Sequence, residues 1–327
     1  MSSTDSTAMP ESPEPLPGAH ADGAPASATA VLSPARLVYW SVLRELWEHR
    51  WCYIVPLIVA AVFLVGFVIG VARFPLPFLR DVLRNVPPPH THFAGAARMV
   101  EAPFDFASGV LMLTYVVVAV IYCLGALHAE RWDRSILFWK SLPVSNVTTV
   151  IAKAIIPLVL LPLITFVILV GTHVVMLLAG SAVLLVRGLH PAGLWAQIPL
   201  LSMWAALLYH FMTVHAIYYA PFYGWALLVS GWARRAAFLW AALPVVAVMI
   251  LEKLVFNTSV FGHMLLSQLE GGRGSIPFPP HGNMPIQAPT LANFGAYLAS
   301  PGLWIGLAVF AAFLAAAVWL RRRQGPL

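Results

Sequence analysis

Charge is the scarcest commodity in this sequence. Only 10% of the 327 residues are Asp, Glu, Lys or Arg, against roughly a quarter in a soluble domain. With 60% hydrophobic residues and a mean hydropathy of +0.81, too few polar groups remain to cover the apolar ones in water, which excludes a soluble enzyme. Cysteine is nearly absent. Cys52 and Cys123 both lie in apolar stretches, which excludes a disulfide-framed secreted domain, a metal cluster and a redox pair. Lysine occurs three times, at Lys140, Lys153 and Lys253, and none follows a glycine. A phosphate-binding loop needs Gly-x-x-x-x-Gly-Lys-Ser/Thr, so ATP hydrolysis is expected on a partner chain, and no cofactor, metal or catalytic residues are expected on this one. The net charge of +6 falls in no basic patch interleaved with aromatics, so nucleic acid is not a partner. Cytoplasmic loops of membrane proteins carry such an excess. The composition is that of an integral membrane protein.

Met1–Ser33 is of a different kind, with Ser, Thr, Pro, Ala and Gly, four acids and no Lys or Arg. It has no basic segment followed by an apolar one, so it is no signal peptide, and it reads as a disordered cytoplasmic tail (residues 1–33). Pro34 suits a first helical turn, with Ser33 as its cap. Leu37, Trp40, Leu43 and Trp47 recur at three- and four-residue spacing, with Arg36, Arg44, Glu45, Glu48 and Arg50 between them. The pattern predicts an amphipathic helix lying in the headgroup layer. The alternative is a plain extension of the first span.

Residues 34–327 then form one six-span domain, all-α, since a span needs about 20 apolar residues. The spans are expected at about 52–72, 107–129, 154–178, 195–219, 236–256 and 301–320. Pro157 and Pro162 are expected to kink the third. The 46 uncharged residues of 188–233 hold either two short spans or one. One crossing places Arg234 and Arg235 with Arg44, Arg50, Arg131, Arg134 and Arg321–Arg323. This choice makes Tyr218–Trp232 a re-entrant or interfacial stretch. Twelve of the 19 Lys and Arg then share the side of both termini and seven lie opposite, so both termini are expected to be cytoplasmic.

The inner loop between spans two and three is dense in alternating charge: Glu130-Arg-Trp-Asp-Arg-Ser-Ile-Leu-Phe-Trp-Lys-Ser-Leu-Pro-Val-Ser145. Glu130 and Arg134 have the i,i+4 spacing of a helical pair, and Ser145 offers a cap to the third span. The aromatic face of this short helix needs a cover, either lipid headgroups or a groove on a soluble partner. The segment resembles the cytoplasmic loop of bacterial ABC-2 type transporter permeases. Leu227-Leu-Val-Ser-Gly-Trp-Ala-Arg-Arg-Ala-Ala-Phe-Leu-Trp-Ala241 resembles the stretch those permeases carry between their fourth and fifth spans, with Ala237 where the family often has Pro. The resemblance covers roughly 33–323. It implies a multi-pass permease subunit of the bacterial cytoplasmic (inner) membrane, an exporter, that dimerises with a second copy or a paralogue and docks a separate ABC ATPase subunit. The loop would act as a coupling helix, its contact formed by Glu130, Arg131, Asp133, Arg134, Phe138, Trp139 and Lys140. The alternatives are a polytopic membrane enzyme and a non-transporting membrane anchor for a cytoplasmic complex.

Other groups carry less. His90 and His92, with Glu101 and Asp105 downstream, lack a full ligand set for a metal. His173, His210 and His215 fall in spans, where ionisable groups are functional by default, yet no acid accompanies them in spans three and four. His210 and His215 lie about 140° apart on an α-helix and share no face, so structural hydrogen bonding is favoured. Glu252-Lys253 reads as an outer-interface anchor, or Glu252 as a contact to a partner permease. Ser108-Gly109 and Ser230-Gly231 lack the Gly-x-Ser-Gly form of an intramembrane serine protease, with no histidine placed opposite them.

Overall fold

Inside a bilayer no water meets the backbone, so a long apolar segment must bond its own N–H and C=O groups, and the helix does this. The computed structural model describes residues 33–77, 79, 80, 94–135, 137, 144–269 and 291–323, and among these there is no strand. The tail, His90, His92 and the loop residues Phe138, Trp139 and Lys140 lie outside the described residues. In chain order the helices are α1 (Pro34–Glu48), α2 (Trp51–Arg73), α3 (Ala94–Ala126), α4 (His128–Trp132), α5 (Asn146–Ile155), α6 (Leu161–Val186) and α7 (Ala192–Gln197). They continue with α8 (Leu200–His210), α9 (Ala220–Trp232), α10 (Ala237–Phe256), α11 (Val260–Leu269), α12 (Leu291–Leu298) and α13 (Pro301–Arg323). Two π-helical turns, Ile156–Leu160 and Phe211–Tyr218, join α5 to α6 and α8 to α9.

Among the described residues, six helical stretches are long and apolar enough to cross a membrane: Trp51–Arg73, Val100–Trp132, Asn146–Val186, Leu200–Tyr218, Ala237–Phe256 and Pro301–Arg323. The first, fifth and sixth match the predicted spans closely. The second and third are longer than predicted. Ser145 caps the third as expected, its hydroxyl accepting from the Thr148 N–H at 3.0 Å. The prolines there do not end the helix: Pro157 lies in the first π turn and Pro162 opens α6. A π turn widens the backbone spiral locally and absorbs a missing N–H.

One expectation is overturned. The stretch 218–232 neither re-enters nor lies on the surface. It continues the fourth helix as α9 and packs between α3 and α13, with Tyr223, Leu227, Val229 and Ser230 fully buried. Close approach of α9 and α13 depends on Gly224, where an added Cβ would stand 2.7 Å from the Phe310 ring. Small residues at such a seam let helix backbones come together where lipid supplies no hydrophobic drive.

Helix α1 forms where expected, but one residue of its polar face turns inward. Ser33 caps it, accepting from the Arg36 N–H. Tyr39, Trp40 and Trp47 are exposed, whereas the bundle-facing side carries Val42, Leu46 and Glu45, the last only 1% exposed. The carboxylate assigned to the polar face is the most deeply buried group of the helix, because a cation waits for it inside.

Candidate functional site

The end of the bundle where α1, α4, α5 and α13 meet contains a buried charge network. The Lys153 ammonium lies 2.7 Å from Glu45 Oε1 and 3.1 Å from Glu130 Oε1. Glu130 Oε2 accepts from the Arg321 guanidinium at the end of α13. The Tyr122 hydroxyl donates to Glu45 Oε1 at 3.0 Å. Two acids and two bases form the centre of the network, and all four are buried. Buried ions persist only when paired and hydrogen-bonded, since desolvating each costs several kcal/mol. Arg44 stands at the edge of the network on α1, 3.6 Å from Glu45 Oε2 and 3.5 Å from Glu48 Oε1. Glu45, Glu48 and His49 lie close enough to share a cation, but the lysine already fills that role for Glu45.

Burial pushes the Glu45 carboxyl up, and Lys153, His49 and Tyr122 together pull it further down, so it sits below the usual carboxylate range. A depressed folded value adds stability above the unfolded value, and that contribution disappears as pH falls through the folded one. Glu48, half-exposed, is raised by burial and contributes with the opposite sign. Thermal unfolding in detergent is therefore expected to lose stability from pH 5 downward (about where an unfolded carboxyl begins to protonate), with a shallower loss for Glu45→Gln. Parallel curves for the two proteins would contradict the assignment.

The loop residues fall into two groups. Glu130 and Arg131 are buried: Glu130 joins the network, and the Arg131 guanidinium donates to the carbonyls of Gly231 and Ala233 at the end of α9. The predicted Glu130–Arg134 helical pair is not formed. Helix α4 stops at Trp132, and Arg134 adopts φ +61, turning the chain away. Asp133 and Arg134 are exposed at this turn, as is Trp132. Ser230 accepts from the N–H groups of Leu127 and His128, both at 2.9 Å, so its hydroxyl serves the start of α4. These contacts bring the ends of α4, α5, α9 and α13 to one end of the bundle, as the single crossing through 188–233 requires.

A second polar centre lies deep in the bundle, where the two π turns touch. Tyr115 on α3 donates to the Pro157 carbonyl at 2.7 Å and approaches the His215 carbonyl at 3.2 Å, while the Tyr223 hydroxyl donates to Tyr115. Here the helical-wheel argument fails. His210 and His215 do share a face, with ring centroids 5.0 Å apart, because a π turn places residues five apart above one another. His215 stacks between Tyr115 and Tyr219. His173 is satisfied as expected. Its Nδ1 accepts from Trp204 Nε1–H at 3.2 Å, and Nε2 lies 3.2 Å from both the Phe104 carbonyl and the Ser108 hydroxyl.

A histidine therefore does stand opposite Ser108, contrary to the sequence reading. Its tautomer decides the chemistry. A neutral ring accepting at Nδ1 carries its proton on Nε2, and so has no lone pair with which to take the Ser108 proton. Ser108 instead donates to the Phe104 carbonyl at 2.9 Å. Glu252 is also committed within the chain: it accepts from Thr258 and from the first N–H groups of α11, capping that helix.

Sequence reasoning missed Glu45, Lys153 and Arg321 as members of one site. Lys153 did carry a signal, being a lone cation in an apolar run; its partners 108 and 23 positions away did not. No family model, curated protein or solved structure matches this chain.

Proposed function

We propose that this chain is the membrane-spanning permease subunit of an ABC-2 type transporter, driven by a separate ATPase subunit that docks on the 130–145 loop. The observation that carries the reading is the position of Glu130. It stands at the head of that loop and holds, through Lys153 and Arg321, the ends of α5 and α13, and through Lys153 also Glu45 of α1. A displacement of the loop is thereby passed to three helices at once. This is the mechanical requirement on a segment by which ATP biases a two-state bundle, and ATP drives it only by favouring one state over the other.

In this reading Asp133, Arg134, Phe138, Trp139 and Lys140 meet the ATPase, while Glu130 and Arg131 transmit from behind. Both termini, with twelve of the 19 basic residues, lie in the cytoplasm, and α1 rests its exposed Trp40 and Trp47 in the headgroup layer of the bacterial inner membrane. Two copies, or one with a paralogue, complete the exporter. The tautomer of His173 weighs against the enzyme alternative.

Co-purification with an ATPase encoded beside this chain tests the proposal. Arg134→Ala with Trp139→Ala is expected to weaken docking by roughly 30-fold or more, the scale of a lost interface anchor, and to abolish stimulation of ATP hydrolysis. Docking and stimulation that survive both substitutions would rule out the coupling role. Docking with a hydrolysis rate indifferent to the bundle would identify an anchor instead.

A further inference from the structure

At the end of the bundle opposite the charge network, α2, α3, α6 and α7 line a half-open pocket of about 690 Å³, within the roughly 300–1,000 Å³ that ligand sites occupy. Its wall is almost wholly apolar. Phe63, Phe67 and Phe74 line it from α2 and its C-terminal cap, Leu184 from α6 and Leu194 from α7. Gly66 and Gly70, one turn apart, make the α2 wall concave, and a Cβ at either would meet nothing within 4 Å. From Phe63 to Phe74 the pocket follows α2 for eleven residues, about 16 Å at 1.5 Å per residue. That is half of the roughly 30 Å hydrocarbon core, the depth of one leaflet. Arginines adjoin this end: Arg73 and Arg80, both exposed, are the chain neighbours of the lining residues Phe74 and Leu79, and Arg187 donates to the carbonyls of Ala72 and Phe74.

We propose that the pocket holds one acyl chain of an anionic phospholipid, with its phosphate at the Arg73–Arg80–Arg187 rim. Water gains nothing in so apolar a space, and an empty one forfeits the contacts of its lining. The membrane supplies a chain of matching length, and a phosphate at headgroup level meets the arginines. The site is independent of the transport reading, since it requires neither an ATPase nor a cargo.

Native mass spectrometry of the purified full chain, incubated with equal amounts of dioleoyl phosphatidylglycerol and dioleoyl phosphatidylcholine, tests this. One retained phospholipid per chain is expected, with phosphatidylglycerol preferred. Gly66→Leu with Gly70→Leu fills the pocket from one wall and Leu184→Trp from the other, so a folding failure in one leaves the second. Each is expected to lower retention about tenfold, the equivalent of 1.4 kcal/mol. Gly109→Leu, likewise open to space but outside the pocket, is expected to retain lipid as before. Arg73→Gln with Arg80→Gln is expected to erase the preference for phosphatidylglycerol. Wild-type retention in both filled variants, or equal loss in Gly109→Leu, overturns the pocket assignment. An unchanged preference without the two arginines overturns the rim.

Discussion

Replacing Lys153 by Met is expected to cost about 3–5 kcal/mol of stability, the penalty for breaking a buried ion pair from one side. The ammonium separates two carboxylates, at 2.7 Å from Glu45 and 3.1 Å from Glu130. Without it Glu45 loses its nearest cation in a site 1% exposed, and Glu130 keeps only Arg321. Methionine matches the stem of lysine, so volume is nearly conserved and the loss is electrostatic. Arginine is no substitute, because a planar fork does not fit where a compact ammonium bridges two acids. Arg44→Ala, by contrast, removes only the longer, part-exposed contacts to Glu45 and Glu48 and should cost less, about 1 kcal/mol. Thermal unfolding in one detergent compares the three proteins. Adding Glu45→Gln to Lys153→Met should restore part of the loss, because the second change removes the charge the first left bare. An unfolding temperature equal to wild type for Lys153→Met would mean that the network contributes nothing.

What the sequence revealed of this fold, and what it concealed, divides along one physical line. Span number and most boundaries follow from apolar length, a local property: Trp51–Arg73, Ala237–Phe256 and Pro301–Arg323 lie within a few residues of expectation. Capping by Ser33 and Ser145 is equally local. The charges misled because their partners are distant in the chain. Glu130 has a plausible partner four residues on in Arg134, yet it pairs with Arg321, 191 positions away. Glu45 sits in a polar pattern but points inward to Lys153. The helical wheel misled for another reason. It assumes 3.6 residues per turn, and the Phe211–Tyr218 turn does not keep that period, so His210 and His215 come together. Nothing in the local sequence distinguishes α9 from an interfacial stretch, since an aromatic-rich segment suits both a membrane surface and a helix seam. What Gly224 is for shows only once Phe310 of α13 lies against it.

Tyr115→Phe should destabilise the bundle by about 1–3 kcal/mol, the cost of leaving buried polar groups without a partner. One hydroxyl serves three groups: it donates toward the carbonyls of Pro157 and His215 and accepts from Tyr223. The two carbonyls belong to the two π turns, where the regular ladder of hydrogen bonds is interrupted, and water cannot replace the lost donor at a fully buried site. The effect should be local as well as global. Amide hydrogen exchange over 156–160 and 211–218 is expected to quicken, while exchange in α2 changes little. Tyr223→Phe removes only the donor to Tyr115 and should cost less. In the double variant the second substitution should cost less still, since its partner is already gone. Tyr39→Phe on the exposed face of α1 supplies the comparison, with no change expected. If Tyr115→Phe unfolds with the wild-type protein and exchange at the two turns is unaltered, the turns hold their shape without it. The clasp would then lie instead in the stacking of His215 between Tyr115 and Tyr219, which phenylalanine preserves.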